Sequence, residues 1–571
     1  MHRECTNRFL AICAPTILLL CLGTLLSSCG YSSRSYSAIT PPLPPPTLNA
    51  ILVLPPNAAI TVGATQQFTA TGIYNDGTRQ DLTNVVGWSS SNTSVASINN
   101  ALVQPGLATA VTAGATLITA SLTGIKGTAN LTVLPPVQVV SIVVTPANPI
   151  VGVKRTQPFV AIATYSDGTT KDITVTATWN SATTTIATID ASGIATGIAI
   201  GTTGITAKSG AVTSNTVILT VANFAYAVNF TDRSTPTAGT ISQYIISADG
   251  SLIAMSPASL PTGFNPYSLT IDTSGKYLYA ANFIIPGNSA GTVSQFFINS
   301  DGSLAPMTPA TIATGNGPND IAVNPNGGFA YVANYGAGGP GGISQYTIGT
   351  TGSLAPVTAA PTAPTQMGPA SIALNPAGPF PAGTFAYLAN FNSNSVSQYS
   401  VANGLLNPLS TPVASGAQPN WIVVDPSGRF VYTANSQDNT VSQYGIGVGG
   451  LLTARVPATV ATGLTPRSIT VDATTTNAYV TNRYDNTVGH YHINTDGTLT
   501  LVDSANTGAA GPSALAFDPK GHFAYVTNRG SQTIPGLISQ FAVDATSGSL
   551  TPLPIPTVAA GDNPVAIVTS R

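Results

Sequence analysis

Ala478-Tyr479-Val480-Thr481-Asn482 reads as a short β-strand, and the same strand returns at 524–528. A strand ending in Tyr-x-x-Asn occurs seven times in the C-terminal part of the chain. The pairs are Tyr226/Asn229, Tyr279/Asn282, Tyr331/Asn334, Tyr387/Asn390, Tyr432/Asn435, Tyr479/Asn482 and Tyr525/Asn528. Their spacing of 45 to 56 residues is typical of the blades of a β-propeller.

Each repeat carries four strand signals, which predicts one four-stranded blade per repeat. The fifth repeat shows them at 419–424, 430–435, 440–444 and 456–462. The chain begins this region with a second-strand motif, Phe224 to Asn229, and ends with a first-strand motif, Asn563 to Val568. We therefore predict a seven-bladed propeller in which the two ends of the region share one blade, which removes an exposed sheet edge.

The repeated polar residues of the propeller are interpreted as structural. The second strand is apolar or small on both faces because a blade packs against a neighbour on each side, and Asn at its end tolerates a left-handed conformation. The third strand carries a Ser-Gln-aromatic motif that receives the same interpretation. It occurs as Ser242-Gln243-Tyr244, Ser344-Gln345-Tyr346, Ser397-Gln398-Tyr399 and Ser539-Gln540-Phe541, whereas the sixth blade has Gly489-His490-Tyr491.

Residues 49–135 and 136–222 form an internal duplication with an offset of 91. The landmarks Pro55, Phe68, Tyr74, Asp76-Gly77-Thr78, Asp81, Trp88, Ser90, Ala96 and Ile98 recur as Pro146, Phe159, Tyr165, Asp167-Gly168-Thr169, Asp172, Trp179, Ser181, Ala187 and Ile189. Short alternating runs with an Asp-Gly turn predict two antiparallel β-sandwiches in series, each with a core tryptophan. We expect the two sandwiches and the propeller (223–571) to unfold separately, with short connectors near Pro135-Pro136 and Ala222-Asn223.

The N-terminal segment 1–28 has the layout of a secretory signal, with Arg3 and Arg8 before the apolar run 9–26. The sequence Leu26-Ser27-Ser28-Cys29 resembles the lipobox of bacterial lipoproteins, which implies that Cys29 is acylated and becomes the first mature residue. An ordinary signal peptide or a membrane helix is the alternative. Residues 29–48 are Ser- and Pro-rich and predict an extended stalk. We therefore expect a lipoprotein of the bacterial cell envelope, anchored to the outer membrane or cell surface by its lipid.

The positions of the cysteines indicate whether the mature chain has disulfides, and the low charge limits the kinds of partner that it can bind. All four cysteines, Cys5, Cys13, Cys21 and Cys29, lie in or at the end of the signal segment, so we expect a mature chain without disulfides. Only 7% of residues are charged and the net charge is −2, which argues against a nucleic-acid partner.

A ligand site is predicted at one end of the propeller. The loops entering strand one and those joining strands two and three lie at the same end of a blade, and they carry unusual residues. These are Tyr267, Asn319, Asp320, Asn420, Trp421, Arg467, Arg483 and Arg529, with the Gly-rich loops 284–291 and 335–342. A central mouth with polar and aromatic groups is the default site for a small molecule, glycan or protein ligand. Scattered solvated loop residues are the alternative.

Catalytic motifs are absent from the sequence, and no catalytic residue is identified. His490-x-His492 puts two imidazoles on one face of a strand, but no carboxylate or cysteine motif completes a zinc site, so we interpret a surface pair. No nucleophile elbow, phosphate loop or calcium loop is present. We predict no metal and no cofactor.

Two family resemblances follow from these motifs. The Asp-Gly-Thr hairpin with the Trp-x-Ser and Ala-x-Ile strands resembles the bacterial immunoglobulin-like group 2 family. The propeller resembles the Tyr-Val-Thr-Asn repeat and is similar to the lactonase family that includes 6-phosphogluconolactonase. The predicted fold class is therefore all-β, with two tandem immunoglobulin-like sandwiches followed by a seven-bladed propeller.

The lactonase resemblance implies a hydrolase that opens a sugar lactone, yet some of its typical residues differ here. Members carry a Pro-His pair at a first-strand entrance, and Asn435 and Asn439 stand where acidic residues are expected. The residues after the entrance prolines are Tyr267, Asn319, Ala370, Asn420, Arg467, Ser513 and Val565. We therefore predict an envelope-anchored binding protein without evident catalytic machinery, with a lactone hydrolase as the alternative.

Overall fold

The computed structural model describes residues 44–230, 238–283, 291–336, 341–357, 362–363, 365–376, 384–530 and 535–570. The predicted signal segment and Cys29 lie outside these ranges. Apart from a 3-10 turn at Val448–Gly450, the regular structure here consists of β-strands, so the all-β class is confirmed. No helix within these ranges has the length and apolarity that crossing a membrane requires.

The first immunoglobulin-like region is a compact unit of its own. Its strands are β1 (Leu48–Leu54), β2 (Asn57–Thr61), β3 (Thr65–Gln67), β4 (Thr69–Tyr74), β5 (Arg79–Asp81), β6 (Gly87–Ser90), β7 (Ala96–Ile98), β8 (Leu107–Ala110), β9 (Gly114–Leu122) and β10 (Ile125–Leu134). They form sheets of order β1-β4-β5, β2-β10-β9-β6 and β3-β8-β7. Trp88 is buried with Phe68 and Leu131, and its indole N–H donates to the Thr83 carbonyl at 3.0 Å, as expected of a core anchor.

The second immunoglobulin-like region repeats this arrangement. Its strands are β11 (Val139–Thr145), β12 (Ile150–Gly152), β13 (Thr156–Pro158), β14 (Val160–Tyr165), β15 (Thr170–Asp172), β16 (Thr178–Ser181), β17 (Ala187–Ile189), β18 (Ile194–Gly197), β19 (Gly201–Ser209), β20 (Val212–Thr213) and β21 (Val217–Asn229). Trp179 packs against this core, and its indole N–H donates to the Thr174 carbonyl at 2.8 Å.

Strand β21 belongs to both the second sandwich and the propeller. Its first half pairs with β19 and β12, and its second half pairs with propeller strands on both sides. The strand therefore passes through Ala222-Asn223, where the sequence predicted a short connector, and Val137–Arg571 form one compact unit. The expectation of a connector at this junction is wrong, because no residue there interrupts the hydrogen-bond ladder.

The propeller has seven blades, and the first is built from both ends of the region, as predicted. Blade one contains β50 (Pro564–Thr569), β21, β22 (Ala238–Ile246) and β23 (Leu252–Phe264). Blade two contains β24 (Pro266–Ile271), β25 (Tyr277–Asn282), β26 (Thr292–Ile298) and β27 (Leu304–Ala313). Blade three contains β28 (Pro318–Val323), β29 (Phe329–Asn334), β30 (Gly342–Ile348), β31 (Leu354–Pro356) and β32 (Thr362–Ala363). Blade four contains β33 (Pro369–Leu374), β34 (Thr384–Asn390), β35 (Ser395–Ala402), β36 (Leu405–Pro408) and β37 (Val413–Ala414).

Blades five to seven are regular four-stranded sheets. Blade five contains β38 (Pro419–Val424), β39 (Phe430–Asn435), β40 (Thr440–Ile446) and β41 (Leu452–Ala461). Blade six contains β42 (Pro466–Val471), β43 (Asn477–Asn482), β44 (Thr487–Ile493) and β45 (Leu499–Asn506). Blade seven contains β46 (Pro512–Phe517), β47 (Phe523–Asn528), β48 (Leu537–Val543) and β49 (Leu550–Ala559). In all blades the neighbouring strands are antiparallel, and apolar side chains of adjacent blades pack together.

The seven repeated tyrosines join each blade to the next. Each hydroxyl donates to a glycine carbonyl in the following blade at 2.5–3.0 Å, from Tyr226 to Gly302, Tyr279 to Gly352, Tyr331 to Gly404, Tyr387 to Gly450, Tyr432 to Gly497, Tyr479 to Gly548 and Tyr525 to Gly250. Burial raises the pKa of these phenols, for example that of Tyr331 to about 12, so they remain donors at ordinary pH. The ring of bonds closes from blade seven to blade one, which agrees with a structural role.

Candidate functional site at the propeller mouth

A β-bulge at the start of every blade sets the residues of the mouth. In blade six, Pro466 pairs with Asn482 and Ser468 with Thr481, so Arg467 is the extra residue between them. Bulges of this kind re-aim a side chain and are common beside binding sites. The seven bulge residues are Tyr267, Asn319, Ala370, Asn420, Arg467, Ser513 and Val565.

The seven bulge residues form one ring at the mouth, and a second ring consists of the residue that directly follows the Asn at the end of each second strand. The backbone N–H of this next residue donates to the carbonyl of the residue that precedes an entrance proline, so the two rings lie at the same end of the propeller. The donor and acceptor pairs are Phe230/Asn563, Phe283/Asn265, Tyr335/Gly317, Phe391/Gly368, Ser436/Gln418, Arg483/Thr465 and Arg529/Gly511. All seven acceptor residues have φ between 45° and 72°. The ring therefore has an aromatic arc in blades one to four and two arginines in blades six and seven.

Arg467 brings three predicted site residues together across the mouth. Its Nη2 donates to the hydroxyl of Tyr267 at 2.5 Å, although the two residues are 200 positions apart. Its Nη1 donates to Oδ1 of Asn420 at 3.3 Å, and the Asn420 amide donates to the Arg467 carbonyl at 2.9 Å. These partners are uncharged, and Nε of Arg467 is buried without a hydrogen-bond acceptor among the described residues.

Arg529 also lies close to the ring of Tyr267. Its Cζ lies 5.7 Å from the ring centroid of Tyr267 and 5.5 Å from that of Phe230, while Cζ of Arg467 lies 5.9 Å from Tyr267. The Tyr267 ring also contacts Phe230 and Phe283, with centroid distances of 5.7 and 6.1 Å. Two guanidinium groups thus lie within about 6 Å of one ring, a distance at which cation and ring attract.

The other predicted mouth residues have mainly structural contacts. Asn319 is buried and its amide donates to the Ala370 carbonyl at 2.7 Å. Asp320 is also buried, and it accepts hydrogen bonds from the hydroxyls of Ser268 and Ser371 and from the backbone N–H groups of residues 321 and 372. Burial raises the pKa of Asp320, and the hydrogen bonds oppose that shift. Asp320 therefore joins three neighbouring first strands.

Trp421 and Arg483 are the last two of the predicted mouth residues. Trp421 is half-buried and packs against the core between blades five and six. Arg483 lies with its Cζ 5.5 Å from the ring centroid of Tyr484, whose side chain is 68% exposed. Of the two Gly-rich loops, only Gly291, Tyr335, Gly336, Gly341 and Gly342 fall within the described ranges.

The interpretation of His490 and His492 as a surface pair is wrong for His490. His492 is exposed, but His490 is fully buried because it occupies the third-strand position that holds Gln in the other blades. Its imidazole stacks on Tyr479 with 5.0 Å between the ring centroids. Among the described residues, no group of three or more His, Cys, Asp or Glu side chains is placed to hold a metal ion.

Sequence reasoning missed three aromatic members of the second ring, and it included Tyr335 only as the first residue of a Gly-rich loop. Phe230, Phe283 and Phe391 read as strand ends when each repeat is considered alone. Their signal was positional, since each directly follows the Asn of a Tyr-x-x-Asn strand. Aligning the repeats at that Asn would have placed them beside Arg483 and Arg529.

Comparisons with known proteins match both parts of the chain. The family described as "Lactonase, 7-bladed beta-propeller" matches residues 160–475 and 321–568, and the "Bacterial Ig-like domain (group 2)" matches residues 49–133. "Ice-binding protein 1" of Shewanella frigidimarina (strain NCIMB 400) is 45% identical over 175 residues, 31% of this chain and 19% of that protein. The matched segment therefore spans about a fifth of that relative.

Solved structures resemble the propeller. The periplasmic gluconolactonase of Pseudomonas aeruginosa has a TM-score of 0.50 and 19% identity, covering 61% of this chain and 99% of its own. A candidate 6-phosphogluconolactonase from Bacteroides uniformis ATCC 8492 has a TM-score of 0.49 and 18% identity, with 61% and 99% covered. At 19% identity the likeness to the Pseudomonas aeruginosa structure concerns the fold alone.

Proposed function

This chain belongs to the lactonase family of seven-bladed β-propellers, and from that premise we propose that its mouth binds a small anionic ligand that contains a ring. The observation that carries the proposal is the placement of Arg467 and Arg529 around Tyr267. Because guanidinium forks pair with carboxylate or phosphate oxygens, the arginine side of the mouth suits the charged end of such a ligand.

Three aromatic side chains beside the arginines supply the other half of the recognition. Phe230, Tyr267 and Phe283 form a continuous set of ring contacts beside the two arginines. Aromatic faces bury the apolar face of a sugar or another flat ring, while a polar end stays with the charged groups. A free anion such as inorganic phosphate would use only the arginine side.

Binding without turnover agrees with the chemistry of the described contacts. Opening a lactone requires a group that activates water. The hydrogen-bond partners of Arg467 are a phenol and an amide. Asp320 is a carboxylate among the predicted mouth residues, but both of its oxygens already accept hydrogen bonds within the first strands. Lactone hydrolysis stays the second candidate, because membership of the family favours it.

Calorimetric titration with gluconate, 6-phosphogluconate and uncharged glucose tests the binding proposal. We expect the two anions to bind and glucose to bind more weakly. Arg467→Ala should weaken the anions by roughly 10- to 150-fold, since a hydrogen bond to a charged group contributes about 1.5–3 kcal/mol. Arg79→Ala, an exposed arginine of β5, is the matched control and should change nothing. Equal binding of glucose, or unchanged affinity in Arg467→Ala, would contradict the proposal.

The second candidate is measured in the same samples. Ring opening of gluconolactone and 6-phosphogluconolactone is followed with the wild-type protein, Arg467→Ala and Asn420→Ala. Turnover that both substitutions abolish would establish the hydrolase instead of the binding protein.

We also propose that the propeller is displayed in the bacterial envelope on an acylated Cys29, followed by the stalk of residues 30–48. The support is the Leu26-Ser27-Ser28-Cys29 sequence after an apolar segment. Cys29→Ser should release the protein from membranes and abolish its labelling by fatty acid. Cys21→Ser, inside the apolar segment, is the control and should leave both unchanged.

A further inference from the structure

His490 interrupts a regular system of bridges between the blades. In the other six blades, the Gln at this position accepts a hydrogen bond from a leucine N–H of the next blade at 2.5–2.8 Å. In blade five, for example, Gln443 accepts from Leu499 and also donates to the Pro457 carbonyl. The junction between blades six and seven has His490 instead and is held in another way.

The two ring nitrogens of His490 each face an oxygen atom. Nε2 lies 3.0 Å from Oδ1 of Asn477, and Nδ1 lies 3.3 Å from Oδ1 of Asp503. The orientation of the Asn477 amide follows from its other contact, because its Nδ2 donates to Oδ2 of Asp472 at 2.9 Å. Oδ1 of Asn477 therefore accepts, and Nε2 of His490 must carry a hydrogen.

Asp503 continues the connection into blade seven. Its Oδ2 accepts from the Ser549 hydroxyl at 2.5 Å, which leaves Oδ1 to accept from Nδ1 of His490. A neutral imidazole has one N–H donor, whereas both neighbours of His490 are acceptors. We propose that His490 is held as an imidazolium, and that the chain His490–Asp503–Ser549 replaces the glutamine bridge as a pH-sensitive closure between blades six and seven.

The other polar groups around the ring are consistent with this charge pattern. Asp472 lies behind Asn477, and Tyr479, stacked on the ring, donates its hydroxyl to the Gly548 carbonyl. When pH rises, a neutral imidazole would present a lone pair to Oδ1 of Asp503 and the bond would be lost. At the other six junctions the bridging side chain is a glutamine amide, which does not titrate. The affected junction joins the blade of Arg467 to the blade of Arg529.

Nitrogen NMR of the full chain labelled at histidine tests the proton state directly. At about pH 7, where free histidine is largely neutral, both nitrogens of His490 should show the signature of N–H groups, and the signals of exposed His492 and His522 serve as the comparison in the same spectrum. Loss of one pair of signals in His490→Gln assigns them. A single neutral tautomer of His490 at this pH would overturn the proposal.

Variants test the bridge by a second measurement. We expect the unfolding temperature of the wild type to fall as pH rises and the His490–Asp503 bond is lost, and Asp503→Asn should remove that fall. His490→Gln restores the side chain used by the other blades and should likewise show no fall from this junction. If both variants keep the wild-type pH profile, His490 is only a packed ring and the proposal fails.

Discussion

The two immunoglobulin-like regions have duplicated sequences, but they are connected to the rest of the chain in different ways. The first ends at Leu134 and is a compact unit by itself, whereas the second shares strand β21 with the propeller and is compact only together with it. Strand register aligns Leu131 with Leu219 and Val133 with Val221. The residues that follow are Pro135-Pro136 in the first region and Asn223-Phe224 in the second. Proline has no backbone N–H for the ladder, so the first strand stops where the second continues.

Two further substitutions attach the second region to blade two. Arg155, which stands where the first region has Ala64, donates to the carbonyls of Gly275, Ile298 and Asn299. Gly152 stands where the first region has Thr61, and its N–H donates to the Ser300 carbonyl at 2.7 Å. The comparison teaches that a few residues decide whether a repeated sandwich is a unit by itself or a part of its neighbour.

The largest expected effect comes from removing each region in turn. Deleting residues 44–136 should leave the unfolding of the remaining chain unchanged. Deleting residues 137–222 should lower the unfolding temperature of the propeller by several degrees, since about 2–4 °C accompany each kcal/mol in domains of this order of size. Calorimetry on both deletions measures this. Equal thermograms for the two would show that the shared strand contributes nothing to the propeller.

A medium effect on stability is expected from Arg155→Ala, which gives the second region the alanine that the first region has at Ala64. Its charged hydrogen bonds are lost, so the unit should be destabilised by about 2 kcal/mol. The chain has three tryptophans, Trp88, Trp179 and Trp421, one in each region. Variants that keep a single tryptophan report on one region each during urea unfolding.

In the parent chain Trp179 and Trp421 should report one common midpoint, and in Arg155→Ala the two midpoints should separate. Lys171→Ala, an exposed change in β15, is the control and should keep them together. Separate midpoints already in the parent chain would mean that the two regions are not coupled.

The smallest effect tests a feature that the two regions share. Hydrogen bonds from Thr78 and Thr169 lower the pKa of Asp76 and Asp167, respectively. A lowered pKa contributes stability above the ordinary value near 4, and this contribution is lost as pH falls through the folded-state value. Asp76→Asn and Asp167→Asn should each remove a similar small part of the acid sensitivity, measured as urea midpoints at neutral and acid pH. A clearly larger change in one region would show that the turns differ.

Periodicity was sufficient to predict the blades, their number and the shared first blade, because the same strand order repeats seven times. The mouth was predicted only in part. Arg467, Tyr267 and Asn420 stood out as unusual residues beside entrance prolines, but their mutual contact depends on ring closure between residues 200 positions apart. The burial of His490 and the continuous strand at Ala222 could not be predicted from local sequence, since both depend on neighbouring strands.

Strand β21 also decides the order in which the molecule can be completed. A chain made from its N-terminus finishes the second sandwich early, so β21 is in place before any other strand of the propeller exists. Its partner β50 lies some 340 positions later and is made last. Closing so distant a pair is slow compared with forming hairpins inside a blade. During synthesis, one edge of β21 therefore stays unpaired until β50 is made, and loss of β50 alone would leave the other strands in place but the propeller ring open.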